Sequence, residues 1–207
     1  IEAIAMIIPM IFDIAYKNSD WQVFLFSSLI TFILGLVIFF AFKHHKKNKI
    51  RISEAFVLTV FSWIVIAVFA SLPFIYSSSH LNFTDAFFES ISGITTTGAT
   101  VITNLDQLSE GILIWRSLLQ WFGGIGIIVL ALAIFPTLQI GGMQLLHMEH
   151  DDPYEKTLPK ITQFVFEILI IYLCLTFICG VLYFITGMTS FDAIAHAMTT
   201  IATGGFS

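Results

Sequence analysis

The sequence predicts an all-α integral membrane protein built from repeated units of span, short helix and span. Three observations predict it: a strongly apolar composition, four segments long enough to cross a bilayer, and an internal repeat. Hydrophobic residues make up 57% of the 207 residues and charged residues only 11%, with a mean hydropathy of +0.91. Because soluble domains are far more charged, lipid is the predicted solvent for most of the chain.

Segments of about 20 apolar residues are needed to cross the hydrocarbon core of a bilayer. An apolar piece at residues 1–15 is too short and is interpreted as a truncated span. A basic cluster at residues 43–51 marks the cytoplasmic side, so the charged segment 136–159 is expected to be a cytoplasmic loop. The full-length spans are predicted at residues 21–42, 54–76, 111–135 and 161–186.

Two apolar segments, 83–94 and 190–201, are too short to cross and fall on the outer side of this topology. We interpret each as a re-entrant half-helix. An offset of 107 residues superimposes them and the residues that follow, which indicates an internal repeat. The matched pairs are Asp85 and Asp192, Ala86 and Ala193, Ile94 and Ile201, Thr96 and Thr203, and Gly98 and Gly205. The second unit stops before its closing span, and both ends of the chain are expected to be cut.

A Thr/Gly stretch follows each short segment, at residues 95–100 and 202–207. β-Branched Thr followed by Gly favours an extended or irregular backbone, which membrane depth tolerates only where protein or a watery cavity surrounds it. Backbone carbonyls that point toward a common axis can replace the hydration shell of a potassium ion. Glycine is needed where such a backbone turns with positive φ and where neighbouring strands crowd the axis. The alternative, a turn that joins an interfacial helix to the next span, does not explain why the stretch occurs twice.

Acidic residues on the outer side are candidates for a cation-collecting vestibule. For two of them, Asp85 and Asp192, we favour a role at a helix N-terminus, beside the capping residues Thr84 and Ser190. Glu89 lies in the middle of the first short helix, where it either faces the vestibule or supports the filter. The full set is Asp85, Glu89, Asp106, Glu110 and Asp192.

Three polar residues sit within or beside the spans. Arg116 is expected to snorkel outward or to pair with Glu89 or Glu110, because an unpaired charge in a span is unfavourable. Glu167 is either functional or close enough to the cytoplasmic end to reach the interface. His196 aligns with Glu89 across the repeat and is expected to pack behind the second Thr/Gly stretch.

Small residues are concentrated in the third span, at Gly123, Gly124 and Gly126. They predict a close approach between helices, or a helix that passes tightly behind a filter. A nucleotide-binding loop is excluded because no strand precedes it. Cys174 and Cys179 are interpreted as packing residues rather than as a redox or metal motif.

These residues resemble a known family, the TrkH-type bacterial potassium transporters of the Trk/Ktr/HKT superfamily. The resemblance covers nearly the whole chain. It is carried by Phe83-Thr84-Asp85-Ala86-Phe87-Phe88-Glu89-Ser90, Thr95-Thr96-Thr97-Gly98-Ala99-Thr100, Trp115-Arg116, Gln120-Trp121-Phe122-Gly123-Gly124-Ile125-Gly126, Gly141-Gly142-Met143-Gln144-Leu145, Asp192-Ala193 and Ile201-Ala202-Thr203-Gly204-Gly205-Phe206-Ser207.

The resemblance implies membrane-pore-membrane units around a potassium-channel-like, pseudo-fourfold pore. Residues 1–52 would be the extra N-terminal spans and basic loop, and residues 53–136 the first unit with pore helix 83–94 and filter 95–99. A cytoplasmic loop at 137–159 would lead to a truncated second unit at 160–207 with filter 202–206. By analogy, the potassium ligands are Thr96, Thr97, Thr203 and Gly204, supported by Thr95, Gly98 and Gly205.

The resemblance also implies uptake of potassium, as transported ligand, across the bacterial cytoplasmic membrane, with no organic cofactor in this chain. The expected partners are a second copy in a homodimer, a TrkA-type nucleotide-binding regulatory ring and membrane lipid. Nucleic acid is not expected at a net charge of -5. A sodium-coupled or sodium-permeable transporter is the alternative. The spans lack the convergent groups of a membrane-embedded enzyme.

Overall fold

The computed structural model describes residues 1–43, 52–138 and 157–207, and the regular elements in these ranges are helical. Four of the helical segments are long and apolar enough to cross a membrane: Trp21–Phe42, Phe56–Tyr76, Glu110–Leu130 and Gln163–Ile185. The α-helices are α1 (Glu2–Ala5), α2 (Ile7–Tyr16), α3 (Trp21–Phe42), α4 (Ile52–Ala70), α5 (Leu72–Tyr76), α6 (Phe83–Ile94), α7 (Glu110–Leu138), α8 (Thr157–Ile185) and α9 (Ser190–Ile201). The all-helical prediction with four spans is confirmed.

The predicted span at 54–76 is not one helix, because the chain forms α4 and α5 with Ser71 between them. Pro73, near the start of α5, has no N–H to donate to the preceding turn, and a helix breaks there. The indole Nε1 of Trp115 donates to the carbonyl oxygen of Ala70 at 3.1 Å. A hydrogen bond from α7 therefore stabilises the break between α4 and α5.

Two further predicted boundaries need correction. Helix α7 runs on to Leu138 and α8 begins at Thr157, so both helices extend into the segment 136–159 that was expected to be a loop. The rest of that segment, 139–156, lies outside the described residues, as does the basic cluster beyond Lys43. The short helices α6 and α9 have the bounds that the sequence predicts.

The N-terminal caps of α6 and α9 differ from the prediction of Thr84 and Ser190. Asn82 accepts a hydrogen bond from the backbone N–H of Asp85 at 2.9 Å, and Thr189 accepts one from Asp192 at 3.2 Å. The caps are thus one or two residues earlier, where the backbone is still extended. Both Asp residues lie in the first turn of their helix, as predicted.

Helix α7 is the central element of the fold, because it packs against α2, α6, α8 and α9. A Cβ atom at Gly123 would lie 1.9 Å from the carbonyl oxygen of Ile94, the last residue of α6. A Cβ atom at Gly124 would lie 2.7 Å from the Tyr172 hydroxyl and 3.4 Å from the Cα of Ala202, which follows α9. These two glycines therefore allow α7 to approach the ends of both short helices, as the glycine patch predicts.

The first prediction concerns this approach. Gly123→Ala should lower the stability of the detergent-solubilised protein, since overpacking of this kind typically costs about 1–3 kcal/mol. The measurement is thermal unfolding, followed by loss of the monodisperse chromatographic peak. Gly35→Ala on α3 is the control, because a Cβ there meets nothing within 4 Å. Equal melting temperatures for both variants would contradict the proposed contact.

Candidate ion-binding loops

The two Thr/Gly stretches, here loop 1 (residues 95–100) and loop 2 (residues 202–207), repeat the same backbone path. Thr96 and Thr203 both have φ of 58°, while Gly98 and Gly205 have φ of 75° and 62°. The N–H of Thr96 donates to the carbonyl of Gly93 at 3.0 Å, and Thr203 donates to Thr200 at 2.9 Å. The repeat seen in the sequence is therefore a repeat of conformation.

Backbone N–H groups of both loops turn back onto the short helices. Thr97 donates to the carbonyl of Ser92 at 3.0 Å, and Gly204 donates to the equivalent carbonyl of Thr199 at 3.1 Å. Within the residues that the structure describes, no hydrogen bond reaches the carbonyl oxygens of Thr96, Thr97, Thr203 or Gly204. The N–H groups at positions 96, 97, 203 and 204 are thus consumed while the carbonyls of the same residues are left open, which is an arrangement that suits a cation.

The left-handed conformation of Thr96 and Thr203 was not predicted. We expected an extended or irregular path with positive φ only at glycines, and Gly98 and Gly205 fulfil that expectation. A β-branched residue with positive φ is a genuine outlier, and such strain concentrates at functional sites. The surrounding contacts must therefore hold each Thr in place.

The two loops meet each other at Gly98 and Gly204. A Cβ atom at Gly98 would lie 1.8 Å from the carbonyl oxygen of Gly204. A Cβ atom at Gly204 would lie 2.1 Å from Nε2 of Gln120, a fully buried residue of α7. Neither position has room for a side chain, so both glycines are required by contact, and Gly98 is required by its positive φ as well.

A buried ion pair anchors the end of loop 1. Glu89 and Arg116 have side chains 0% and 2% exposed, and Arg116 Nε donates to Glu89 Oε1 at 2.9 Å. The same carboxylate accepts from the Thr100 hydroxyl at 2.8 Å and from the Val101 N–H at 3.1 Å. Glu89 therefore lies behind the loop and not in a vestibule, which decides between its two alternatives. Arg116 pairs with Glu89, which was one of the alternatives predicted for Arg116.

The second repeat has its own version of this anchor. His196, which aligns with Glu89, places Nδ1 2.6 Å from the Ser207 hydroxyl, and Ser207 aligns with Thr100. The Ser207 hydroxyl also lies 2.8 Å from that of Thr199. Residues at matched positions therefore join each short helix to the end of its loop. The first pair, Glu89 and Thr100, includes a carboxylate, and the second pair, His196 and Ser207, does not.

Phe206 of loop 2 reaches across to the first repeat. The guanidinium carbon of Arg116 lies 3.9 Å from the centre of its ring, and a Cβ atom at Gly93 would lie 3.2 Å from that ring. Arg116 thus contacts Glu89 of one repeat and Phe206 of the other. A cation over an aromatic face gains electrostatic stabilisation when desolvated.

Other predicted candidates lie apart from the loops. Asp85 and Asp192 accept hydrogen bonds from Asn82 and Thr189 at their helix N-termini. Glu110 accepts from Asn18 and does not pair with Arg116. The described part of the chain also leaves Glu167 exposed on α8, while Cys174 is exposed and Cys179 partly so, both as free thiols.

Gln120 was not predicted as part of the site, and Phe206, although it lies within the predicted filter 202–206, was not predicted to contact α7. Gln120 accepts the backbone N–H of Phe206 at 3.3 Å, and its side chain is fully buried. An amide in the middle of an apolar span is a signal in itself, because polar side chains there face the protein interior. Phe206 gave no such signal among the 22 Phe of the chain.

The fold and the paired loops together define a multi-pass helical membrane protein that contains two copies of a short helix and a carbonyl-exposing loop. This class fits ion transport. A family model described as a cation transport protein, TrkH, matches residues 20–207. The chain belongs to the TrkH family of cation transport proteins, which are transport proteins and not enzymes.

Curated relatives and a solved structure agree with the family. The chain is 42% identical over 208 residues to the Trk system potassium uptake protein TrkH of Vibrio parahaemolyticus serotype O3:K6 (strain RIMD 2210633), covering 99% of this chain and 43% of that protein. It is 42% identical over 205 residues to TrkH of Escherichia coli (strain K12), covering 98% and 42%. The crystal structure of the potassium transporter TrkH from Vibrio parahaemolyticus superimposes with a TM-score of 0.85 at 40% identity, over 99% of this chain and 41% of that one. The chain spans less than half the length of these relatives.

The second prediction concerns the buried ion pair. Arg116→Met should destabilise the protein strongly, by about 3–5 kcal/mol, because it leaves the Glu89 carboxylate buried without its cation. Combining it with Glu89→Gln should recover part of that loss, because the double variant buries no charge at this site. The measurement is a double-mutant cycle on unfolding free energies.

The control for the cycle is Ser117→Ala on the same helix, whose hydroxyl donates only to the carbonyl of Leu113. It should combine additively with Glu89→Gln. Additivity of Arg116→Met with Glu89→Gln would show instead that the two side chains are energetically independent.

Proposed function

We propose that this chain is part of a potassium uptake protein of the bacterial cytoplasmic membrane, and that loops 1 and 2 are two strands of its selectivity filter. The ligands are the backbone carbonyls of Thr96, Thr97, Thr203 and Gly204. Thr95, Gly98 and Gly205 support them. The relatives, which are Trk system potassium uptake proteins, support this proposal.

One observation carries the proposal: the loops repeat each other residue by residue and leave matching carbonyls without hydrogen bonds. A turn between an interfacial helix and a span would not require a left-handed Thr at both positions. Carbonyl oxygens replace the hydration shell of a potassium ion when several strands present them to one axis. The contact between Gly98 and Gly204 supports such convergence.

The proposed topology makes α6 and α9 re-entrant pore helices. Each ends where its loop begins, at Thr95 and Ala202. The C-terminal end of a helix carries partial negative charge, which stabilises a cation nearby. Residues 53–136 then form a first membrane-pore-membrane unit and residues 160–207 the beginning of a second, after extra spans in 1–52. Two further units would complete a pseudo-fourfold pore.

The proposed partners follow from the family. A homodimer in the bilayer and a TrkA-type nucleotide-binding ring on the cytoplasmic side are expected of the whole protein. The connection 137–159 would face that ring, and most of it lies outside the described residues. Lipid would cover helices such as α3, whose large apolar side chains are mostly exposed.

The third prediction tests the filter at Gly98. Gly98→Ser adds a side chain at φ of 75° and next to the Gly204 carbonyl, so it should displace both loops. In a bacterium without its own potassium uptake systems, the complete gene should support rubidium uptake that excludes sodium. The serine variant should lose that discrimination.

The matched control is Gly187→Ser, a positive-φ glycine (φ 102°) with nothing within 4 Å of its Cβ position. This variant adds a side chain at a positive-φ position without touching either loop. It should therefore retain the selectivity for rubidium over sodium. Wild-type uptake that favours sodium would support the sodium-permeable alternative. Uptake indifferent to Gly98 would remove the filter assignment.

A further inference from the structure

We propose that Gln120 is a positioning residue that fixes loop 2 against loop 1 and thereby determines ion selectivity. The inference rests on the proposed function, because it assigns a role within the same filter. Gln120 itself contacts the backbone behind the loops and is not proposed as an ion ligand. Its side-chain amide is the link between the two repeats.

The amide of Gln120 is held in one place by loop 2. Its Oε1 accepts the N–H of Phe206 at 3.3 Å, and its amide group lies where a side chain at Gly204 would be. Its Nε2 lies 3.4 Å from the Cβ position of Gly98 in loop 1. One buried side chain therefore contacts both loops at the point where they meet.

Arg116, one helical turn before Gln120, holds the same loop from its other side. Its guanidinium covers the ring of Phe206, while Gln120 accepts the backbone N–H of that residue. Phe206 is thus fixed at ring and backbone by two residues of one helix face. Because α7 is also locked to the end of α6 through Gly123, the spacing of the loops is set by a single rigid element.

Neither an apolar side chain nor a charged one at position 120 would hold loop 2 in the same way. An apolar residue would leave the buried Phe206 N–H without an acceptor, and the loop would shift to find one. A carboxylate would keep the acceptor but bring a negative charge beside the loops. Nε2 has no hydrogen-bond partner among the described residues, so the acceptor oxygen is the group that positions the loop.

Selectivity depends on this spacing because the Gly204 carbonyl lies directly beside Gly98. A small movement of loop 2 changes the number and direction of carbonyls around an ion, and both determine discrimination between potassium and sodium. A role limited to folding would change the number of working transporters and not their ion preference. The ratio of the rubidium uptake rate to the sodium uptake rate therefore distinguishes a role in positioning loop 2 from a role limited to folding.

The experiment compares initial rates of rubidium and sodium uptake by the complete protein in cells without other potassium uptake systems. The variants are Gln120→Met, which removes both hydrogen-bonding groups at similar length, and Gln120→Glu, which keeps the acceptor. Gln120→Leu serves as a second apolar variant if the methionine variant does not reach the membrane. Ser117→Ala is the control on α7.

The expected result is that Gln120→Met lowers the rubidium-to-sodium uptake ratio by at least about fivefold, a factor equivalent to the free energy of about one hydrogen bond. Gln120→Glu should keep more of the ratio than Gln120→Met, and Ser117→Ala should keep it all. An unchanged ratio in both apolar variants, whatever their absolute rates, would overturn the inference while leaving the filter assignment intact. Failure of the wild type to take up rubidium selectively would overturn the proposed function itself, and this inference with it.

Discussion

Helix α7 lies between the two short helices, and the arrangement of both loops depends on how closely it approaches them. Gly123 and Gly124 bring its backbone against the last residue of α6 and the first residue after α9. From the same helix, Arg116 pairs with Glu89 of α6, and Gln120 accepts the backbone N–H of Phe206 in loop 2. A side chain at Gly123 or Gly124 would push α7 away from one of the two repeats. The polar contacts that Arg116 and Gln120 make with that repeat would then be lost.

The contacts explain how strained backbone persists in the loops. Left-handed Thr at 96 and 203 is unfavourable for a β-branched residue, and it survives only where surrounding structure overdetermines it. Each loop is held at its start by hydrogen bonds to the short helix and at its last residue by a matched anchor, Glu89 in one repeat and His196 in the other. Between these fixed points, the carbonyl oxygens of Thr96, Thr97, Thr203 and Gly204 accept no hydrogen bond from the described residues.

The charge of the first anchor is neutralised locally. Glu89 is fully buried and would be unfavourable alone, yet Arg116 pairs with it and two donors from the chain after loop 1 complete its hydrogen bonds. The second anchor contains no carboxylate, since His196 and Ser207 occupy the matched positions. The two repeats therefore share a geometry without sharing its electrostatics.

Much of the architecture could be predicted because it depends on local pattern and on the repeat. The spans, the bounds of α6 and α9 and the positive φ of Gly98 and Gly205 follow from apolar length, turn chemistry and alignment. The cost of a buried charge limited Arg116 to three alternatives, of which the structure shows the pair with Glu89. The break at Ser71, the caps Asn82 and Thr189 and the extension of α7 to Leu138 did not, because helix ends depend on single residues and on packing. The contacts of Gln120 and Arg116 with Phe206 of loop 2 became visible only in the tertiary structure, because they join residues far apart in the sequence.

The most direct test of the account is the position of the ion itself. Crystals of the complete protein grown with thallium, a potassium substitute with strong anomalous scattering, would reveal bound ions independently of any transport assay. The account predicts anomalous peaks within coordination distance of the carbonyl oxygens of Thr96, Thr97, Thr203 and Gly204. Peaks elsewhere in the protein, with none at these carbonyls, would contradict it.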